Sequence, residues 1–405
     1  MDFKKLHTGQ YRFFVLACIA SMDFYSPSFL SFPSVLYKFL YYFAIVIIGV
    51  LTLGKANVGL VDKRYFVIKV IKLLLISLLL SALNADLYEN QPFGISVIAT
   101  LQRVGFLLFI FLCKSKLSVV DIERAIKVLA YCYMIAASIN YISGYGIFGE
   151  AEFDTDRGGM RLRLLGLDWV QLFLLLSVNK YMLYKQKRCL INAFLCCLFI
   201  LLSLTRQVMA ITLVTLVILV MVKAKMYQKF LIVLILSSFM IFVLPKISIY
   251  QKMVEKTESQ VNMNKQTDDV RIVAFNYYTF EYPRNLMQKL FGVGVPSYGN
   301  SQYGIRFERE TQQTRLFRDD VGYAGFYFDH GLIGLGLLLF AIIYSMLRKT
   351  DTNVLYSKYF LFMVLLESIA SAPFFYSILP IVASMYLIAI KSNVKNKNNN
   401  FIKSS

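Results

Sequence analysis

The chain has 405 residues, of which 58% are hydrophobic and 15% aromatic, and a formal net charge of +19. Its repeated apolar runs of about 20 residues exclude an ordinary water-soluble domain and predict a polytopic membrane protein. The basic charge does not indicate nucleic-acid binding, because most of it flanks the apolar runs on one side of the predicted membrane.

The runs predict an all-α fold of about twelve transmembrane helices and one long, partly helical outer loop. In chain order, the predicted spans are 11–31, 34–54, 66–84, 95–112, 125–143, 164–183, 189–204, 207–222, 229–245, 323–347, 358–375 and 377–391. This divides the chain into nine helices over 1–245 with a short Arg-rich outer segment near 144–163, the outer loop over 246–322, three helices over 323–391, and a disordered tail over 392–405.

Lysine sets the orientation, because Lys and Arg near the ends of spans stay in the cytoplasm. The predicted inner segments carry Lys4, Lys5, Lys55, Lys63, Arg64, Lys114, Lys116, Lys185, Lys187, Arg188, Lys223, Lys225, Lys229, Arg348 and Lys349. The outer connections near 84–94 and 371–380 carry neither residue type. Both termini are therefore expected on the cytoplasmic side.

Arginine is distributed differently. Ten of the sixteen arginines, but only five or six of the 27 lysines, fall in predicted outer segments. A planar, permanently charged guanidinium binds phosphate or carboxylate through two parallel hydrogen bonds, whereas topology alone is satisfied by lysine. The sequence therefore predicts an outward-facing anion site. The alternative is that these arginines pair with the loop's own Asp and Glu.

Arg206 interrupts an apolar run over 189–222 that is too long for one span. The run must fold back there, which places Arg206 at the outer membrane edge, near the start of the next helix, where the helix dipole also favours an anion. An arginine serving only as a stop signal on that side would oppose the positive-inside rule.

Charged residues inside predicted spans are functional candidates, because burying a charge in the bilayer is costly. Asp23, Arg103 and Glu367 qualify, with a structural Arg103–Glu367 pair as the alternative. All six cysteines lie in spans or at their inner ends, which gives the outer loops no disulfide framework. No metal or nucleotide motif is evident.

The long outer loop has the pattern of a folded segment. Apolar residues follow Arg271 at helical spacing, Pro283 interrupts them, and Gly292-Val-Gly294 forms a turn where the backbone can approach a ligand closely. The loop ends in Asp319-Asp320-Val-Gly-Tyr323, directly before an apolar span that contains Gly331-Leu-Ile-Gly334.

These features, in this order, resemble the O-antigen polymerase and ligase superfamily. The resemblance covers about 150–345: Arg163-Leu-Leu-Gly166-Leu-Asp168, the Arg206 turn, the loop from Arg271, and the two glycine elements. It implies an integral glycosyltransferase of the bacterial inner membrane that uses undecaprenyl-diphosphate-linked oligosaccharide without metal, nucleotide or other cofactor. It also implies membrane lipid, a chain-length regulator and a flippase as candidate partners, and no nucleic acid.

The roles follow from that chemistry, which needs a charge-stabilised leaving diphosphate and a base for the acceptor hydroxyl. Arg206 and Arg271 are expected to hold the diphosphate, and Asp320 to act as general base with Asp319 next in line; both aspartates could instead pair with Arg318 or Arg315. The remaining expected substrate-binding residues are Arg157, Arg161, Arg163, Gly292, Gly294 and Tyr323.

The expected activity is that of a polysaccharide polymerase. Ligases of this superfamily carry a histidine about a dozen residues before the Gly-Leu-Ile-Gly element, where this chain has Asp320, while His330 adjoins Gly331. A ligase, a flippase or other transporter, an acyltransferase and a structural export subunit remain alternatives. Transporters usually show internal repeats and short loops, which this sequence does not.

Single-cysteine labelling tests the topology. In a cysteine-free background, Lys265→Cys should react with a membrane-impermeant maleimide added from outside, because it lies in the long outer loop. Lys116→Cys, on a predicted inner connection, is the control and should react only after the membrane is opened. Protection of position 265 in intact cells would overturn the orientation.

Overall fold

The computed structural model describes residues 3–20, 22, 60–61, 65–144, 146–148, 150–154, 159–203, 205–223 and 269–390. Within these ranges the chain is predominantly helical. The predicted spans 34–54 and 229–245, as well as Asp23 and the tail, lie outside them, so a total of twelve helices stays a prediction.

The elements are numbered in chain order. They are α1 (Phe3–Ala20), α2 (Val67–Glu89), α3 (Phe93–Thr100), a 3-10 helix (Leu101–Phe106), α4 (Leu107–Lys114), α5 (Val119–Ser143), β1 (Glu150–Asp154), β2 (Gly159–Arg163), α6 (Leu167–Tyr184), α7 (Lys187–Leu202), α8 (Arg206–Lys223), α9 (Val270–Asn276), a π-helix (Tyr277–Glu281), α10 (Leu286–Phe291), α11 (Gln302–Thr314), a 3-10 helix (Arg318–Asp320), α12 (Gly322–Leu347), a 3-10 helix (Thr352–Val354), α13 (Leu355–Glu367), α14 (Pro373–Tyr376) and α15 (Ile378–Ala389).

Four helical stretches of the described chain are long and apolar enough to cross a membrane: Val67–Glu89, Phe93–Lys114, Val119–Ser143 and Gly322–Leu347. Each coincides with a predicted span. The second one is built from α3, α4 and the 3-10 helix between them. The protein is therefore a helical membrane protein by the length and composition of these elements.

Within the predicted Arg-rich segment near 144–163, β1 and β2 pair as an antiparallel hairpin. One detail of the predicted architecture is wrong. The predicted span over 358–375 is not one helix, because α13 ends at Glu367 and the chain turns before α14 begins at Pro373. Proline is tolerated in the first turn of a helix but cannot continue one, which explains the restart there.

Alternating helix directions sort the connections between two ends of the bundle. One end, called here the loop end, carries the 269–321 segment, which contacts the C-terminal end of α2 through Arg306 and Glu89. The opposite end joins the inner connections: Asn179 donates to the carbonyl of Asn353 over 3.1 Å, and Tyr386 donates to the carbonyl of Leu117 over 2.6 Å. Among the described residues, the predicted inner connections near 117 and 353 thus lie at the end opposite the 269–321 segment; which end faces the cytoplasm stays a prediction.

Local sequence explains several helix starts. The Ser118 side chain accepts from the Asp121 amide, and the Asp121 carboxylate accepts from the Ser118 amide over 2.8 Å, which forms a capping box at the start of α5. The side chains of Asn285 and Ser301 cap α10 and α11 without a reciprocal bond, each accepting from a backbone amide of the first turn. Gly144 ends α5 in the left-handed conformation.

The 269–321 segment has a small apolar core of its own, separate from the main core between the long helices. Its buried members are Ala274, Tyr278, Tyr282, Val293, Tyr303, Phe307, Leu316 and Val321, together with Ala324 and Phe328 of α12. This part of the long outer loop is folded, as the sequence predicted, and it uses the first turns of α12 as its base. The predicted break at Pro283 is confirmed, since the π-helix ends at Glu281 and α10 starts at Leu286.

Gly292→Ala should destabilise the protein. Gly292 has φ +91°, and a Cβ there would lie 2.3 Å from the carbonyl oxygen of Asp329. We expect a loss of at least ~2 kcal/mol from strain and displaced backbone. Gly336→Ala is the matched control, because a Cβ at Gly336 meets nothing within 4 Å. Thermal unfolding of the purified variants measures both; equal melting temperatures would contradict the packing described here.

Candidate functional site

Two of the long helices depart from α-helical geometry at the same depth of the bundle, near the loop end. The stretch Phe93–Lys114 passes through a 3-10 helix that contains Arg103. Helix α12 is kinked at Gly331, which has φ 69° and ψ −176°, directly after Asp329 and His330. Mid-helix irregularities of this kind often mark functional positions.

The kink leaves backbone carbonyls of α12 without helical hydrogen bonds, and amides of the 269–321 segment donate to them. The Val293 amide donates to the carbonyl of Phe328 over 2.8 Å, and the Gly294 amide donates to the carbonyl of Asp329 over 3.2 Å. The Ser81 hydroxyl also donates to that Asp329 carbonyl. The sequence predicted that the turn at Gly292 and Gly294 lets the backbone approach a ligand; in the structure the turn approaches α12, and a role in binding substrate stays a prediction.

Asp329 lies between two arginines from different parts of the chain. Its Oδ2 is 3.1 Å from Arg103 Nη2, and its Oδ1 is 2.6 Å from Arg318 Nη1. Asp329 is fully buried, and the side chain of Arg103 is only 3% exposed. We call these three residues the ion cluster. The alternative of a structural Arg103–Glu367 pair is therefore wrong, because Asp329 on α12 is the carboxylate that contacts Arg103.

One aromatic ring covers both guanidinium groups. The Phe375 ring centroid lies 4.4 Å from Arg103 Cζ and 5.6 Å from Arg318 Cζ. A phenyl face attracts a cation and excludes water, so it favours a guanidinium that has little contact with solvent. Tyr298 lies on another side of Arg318, with its centroid 5.8 Å from Cζ.

Arg318 connects the ion cluster to the surface of the 269–321 segment. It belongs to the 3-10 helix Arg318–Asp320, and its Nε lies 3.6 Å from Asp319 Oδ1. Burial is the largest single effect on the pKa of Arg318 and lowers it, but Asp329, together with Tyr298, Asp319 and Tyr303, raises the pKa by more, so the group stays charged. The Tyr376 hydroxyl donates to the other oxygen of Asp319. Asp319 therefore pairs with Arg318. On the sequence alone, this pairing was the alternative to a catalytic role for Asp319.

Asp320 and Arg271, two of the three predicted catalytic residues, lie on neighbouring elements. Asp320 is exposed at the end of its 3-10 helix, and α9, which carries Arg271, packs against that helix. Arg271 is also exposed, on the first turn of α9, where its amide donates to Asp269 over 2.9 Å. The fold thus places Arg271 and Asp320, both exposed, on two elements that pack against each other, the second of which also carries Arg318 of the ion cluster.

Arg206 begins α8 at the same end of the bundle, as predicted. The next residue, Gln207, donates from Nε2 to the carbonyl of Glu367 over 2.9 Å, at the end of α13. One residue further, the carbonyl of Ser368 accepts from the Tyr323 amide over 3.1 Å. The end of α13 therefore holds the Arg206 turn and the start of α12 close together.

Tyr323 and Glu367 both have protein partners at this position. The Tyr323 hydroxyl donates to the carbonyl of Leu365 over 2.7 Å, so its aromatic ring rather than its hydroxyl remains for the predicted substrate contact. Glu367 Oε1 accepts from Gln171 Nε2 over 2.7 Å, and that same nitrogen lies 2.8 Å from Thr212 Oγ1. These contacts form a buried polar network between α6, α8 and α13.

The remaining predicted arginines have different surroundings. In the hairpin register, Arg161 is opposite Glu152 and Arg163 is opposite Glu150. Arg157 lies outside the described residues. Arg306 pairs with Glu89, whose other oxygen accepts from Gln288 Nε2 over 3.0 Å. Arg306 is therefore paired, but its partner Glu89 belongs to α2, whereas the predicted alternative named carboxylates of the loop itself.

The sequence offered a weak signal for the residues that it missed. Asp329 is a charged residue inside an apolar span, which by itself marks a functional candidate. Its partner Arg318 lies only 11 positions earlier in the chain, whereas Arg103 lies 226 positions away. Phe375 and Tyr376 carried no signal, because aromatic residues are common throughout this chain.

The chain matches no protein-family model, no curated protein and no solved structure. Its functional interpretation therefore depends on the geometry of its own residues.

The ion cluster should dominate the stability of the loop end. Asp329→Asn leaves two largely buried guanidinium groups without their carboxylate, and breaking a buried ion pair costs roughly 3–5 kcal/mol. The double variant Arg103→Gln/Asp329→Asn should lose less than the sum of the two single variants, because each removes the other's unpaired partner. Denaturant unfolding of the four proteins gives this coupling.

Arg315→Gln is the control for charge removal, because Arg315 is exposed on the same segment and surface charges contribute little. Strict additivity of Arg103→Gln and Asp329→Asn would contradict a direct interaction between the two side chains.

Proposed function

We propose that the protein is an integral membrane glycosyltransferase that polymerises oligosaccharide repeat units carried on a lipid diphosphate. The single observation that carries the proposal is the excess of guanidinium charge buried at the loop end. Arg103 and Arg318 share one buried carboxylate, beneath a surface that presents Arg271 and Asp320.

This arrangement suits a reaction in which negative charge develops on a leaving group at the membrane surface. The acceptor hydroxyl oxygen attacks the anomeric carbon of the donor sugar, and the bond from that carbon to the diphosphate oxygen breaks. The diphosphate leaves with the electron pair. Arg271 and Arg206 neutralise this charge by hydrogen bonding to the phosphate oxygens, in the role that metal ions play in other transferases.

Asp320 takes the proton of the acceptor hydroxyl. It is exposed at the end of the Arg318–Asp320 helix and can approach a sugar bound on the surface. Neighbouring Asp319 is held by Tyr376 and lies close to Arg318, which makes it less suited to accept a proton. The rigid attachment of this helix to the ion cluster positions the base for attack.

The positions of the two histidines favour polymerase over ligase. His330 is fully buried beside the kink of α12, and His7 lies in α1. Neither is placed on the surface around Asp320. In the sequence, the carboxylate of Asp320 stands where ligases of the superfamily that this chain resembles carry a histidine. On this proposal the loop end faces away from the cytoplasm of a bacterial inner membrane, and a flippase and a chain-length regulator act beside the enzyme.

Variants of the three proposed catalytic residues should separate charge from geometry. Lysine keeps the charge but loses the planar guanidinium, so Arg206→Lys and Arg271→Lys should each lower polymerisation at least ~100-fold through poorer stabilisation of the leaving diphosphate. Asp320→Asn keeps the shape but removes the base and should lower the rate by about 100-fold or more. The assay uses purified protein, a defined lipid-linked repeat unit and gel separation of the product ladder.

Arg315→Lys is the matched control, because Arg315 is exposed on the same outer segment; it should retain the wild-type ladder. Wild-type ladders from Arg206→Lys and Arg271→Lys would reject the two-point contact with diphosphate. Product that forms only after a lipid A core acceptor is added would establish a ligase. Movement of labelled lipid across the bilayer without a new glycosidic bond would establish a transporter.

A further inference from the structure

The ion cluster contains buried guanidinium nitrogens that make no hydrogen bond, and His330 beside it has none either. Among the described residues, Arg103 Nε and Arg318 Nε donate to no acceptor, and neither ring nitrogen of His330 has a hydrogen-bond partner, although one of the two must be a donor. His330 follows Asp329 in the chain and is fully buried. Unsatisfied buried donors are costly, so a concentration of them at one place indicates a group that the protein is built to receive.

The charge of the cluster points to the sign of that group. Arg103 and Arg318 together carry two positive charges, and Asp329 supplies one buried negative charge. The second carboxylate, Asp319, lies at the surface with 46% of its side chain exposed. Its oxygen is 3.6 Å from Arg318 Nε, which is too far for a hydrogen bond. The inner positive charge is therefore balanced only loosely, from the rim.

We propose that Arg318 and Arg103, with His330 behind them, form an oxyanion site of the phosphate class, and that the carboxylate of Asp319 guards its entrance. An incoming phosphate oxygen takes the place near Arg318 Nε that Asp319 approaches in this structure. The displaced carboxylate keeps its hydrogen bond from the Tyr376 hydroxyl. The site is distinct from the diphosphate contacts assigned above to Arg206 and Arg271.

The residues at the entrance of this site are exposed, so an anion can reach it from solvent. Tyr298 and Tyr376 are 44% and 51% exposed, and both lie next to residues of the entrance. Arg103 remains inside, stacked on Phe375, and acts through its charge. A diphosphate suits two guanidinium groups better than a single carboxylate does, because it carries more charge and more acceptor oxygens. Only its identification as part of a lipid carrier rests on the proposed function.

Binding of inorganic diphosphate to the full-length protein in zwitterionic nanodiscs tests the site by titration calorimetry. Asp319→Asn should tighten binding by about tenfold, because it removes a competing carboxylate and its repulsion. Arg318→Gln should weaken binding by about 100-fold or more, because it removes the guanidinium that receives the anion. Arg315→Gln, on the same segment, should bind as the wild type does.

Asp319→Asn carries the test even if Arg318→Gln or Arg103→Gln fails to fold, because Asp319 is half exposed. Unchanged or weaker binding by Asp319→Asn would overturn the proposal, as would wild-type affinity in Arg318→Gln. A second arm replaces inorganic diphosphate by nanodiscs that contain a polyprenyl diphosphate without sugar. Competition between the two probes identifies the lipid as a source of the oxyanion; binding of the inorganic probe alone leaves the site in place for free diphosphate.

These outcomes are separable from those of the polymerisation assay. If the variants bind diphosphate as predicted but the wild-type protein does not polymerise, the oxyanion site is retained and the proposed function is rejected. Polymerisation without that pattern would retain the function and reject the site.

Discussion

A single buried carboxylate, Asp329, organises the loop end of this protein. Two guanidinium groups contact it: Arg103, from a 3-10 stretch within a long apolar helix, and Arg318, from the 269–321 segment. None of the three charges is stable alone in a low-dielectric interior, because the desolvation of each is costly. Asp329 therefore stabilises the burial of both arginines, and they stabilise its burial.

The backbone of α12 is adapted to this requirement. Its kink at Gly331 frees carbonyl groups directly beside Asp329, and the Gly292–Gly294 turn of the outer segment donates amides to them. The absence of side chains at Gly292 and Gly331 allows the two backbones to touch, as a Cβ on either would lie within 2.5 Å of a neighbouring backbone atom. The outer segment is thus joined to α12 through ions and backbone together. We expect it to move with that helix rather than as a free loop.

This attachment explains how a segment with a small apolar core can hold exposed charged residues in place. The core beneath α9 to α11 is made mainly of aromatic rings, and its base is α12 itself. Arg271 and Asp320 stand on elements fixed to that base, while the Arg206 turn is held through Gln207 and the end of α13. Precise orientation of charged groups on a rigid support is what stabilisation of a developing anion requires.

Much of the fold could be predicted from the sequence, because the bilayer imposes simple rules on composition. Apolar length predicted the four long spans. The orientation that the distribution of lysine predicts stays a prediction. The order of motifs also directed attention to the surface around Asp320. What composition could not give was pairing: Glu367 and Asp329 are both acidic residues in apolar surroundings, and only the tertiary structure decided that Arg103 contacts the second. Likewise, the glycine turn had a predicted backbone role, but its contact became evident only through a kink 39 residues later in the chain. Hydropathy determines which segments enter the membrane, since transfer from water depends on each segment's own composition. The assignment of partners depends on distances between segments, and those exist only after the helices have packed.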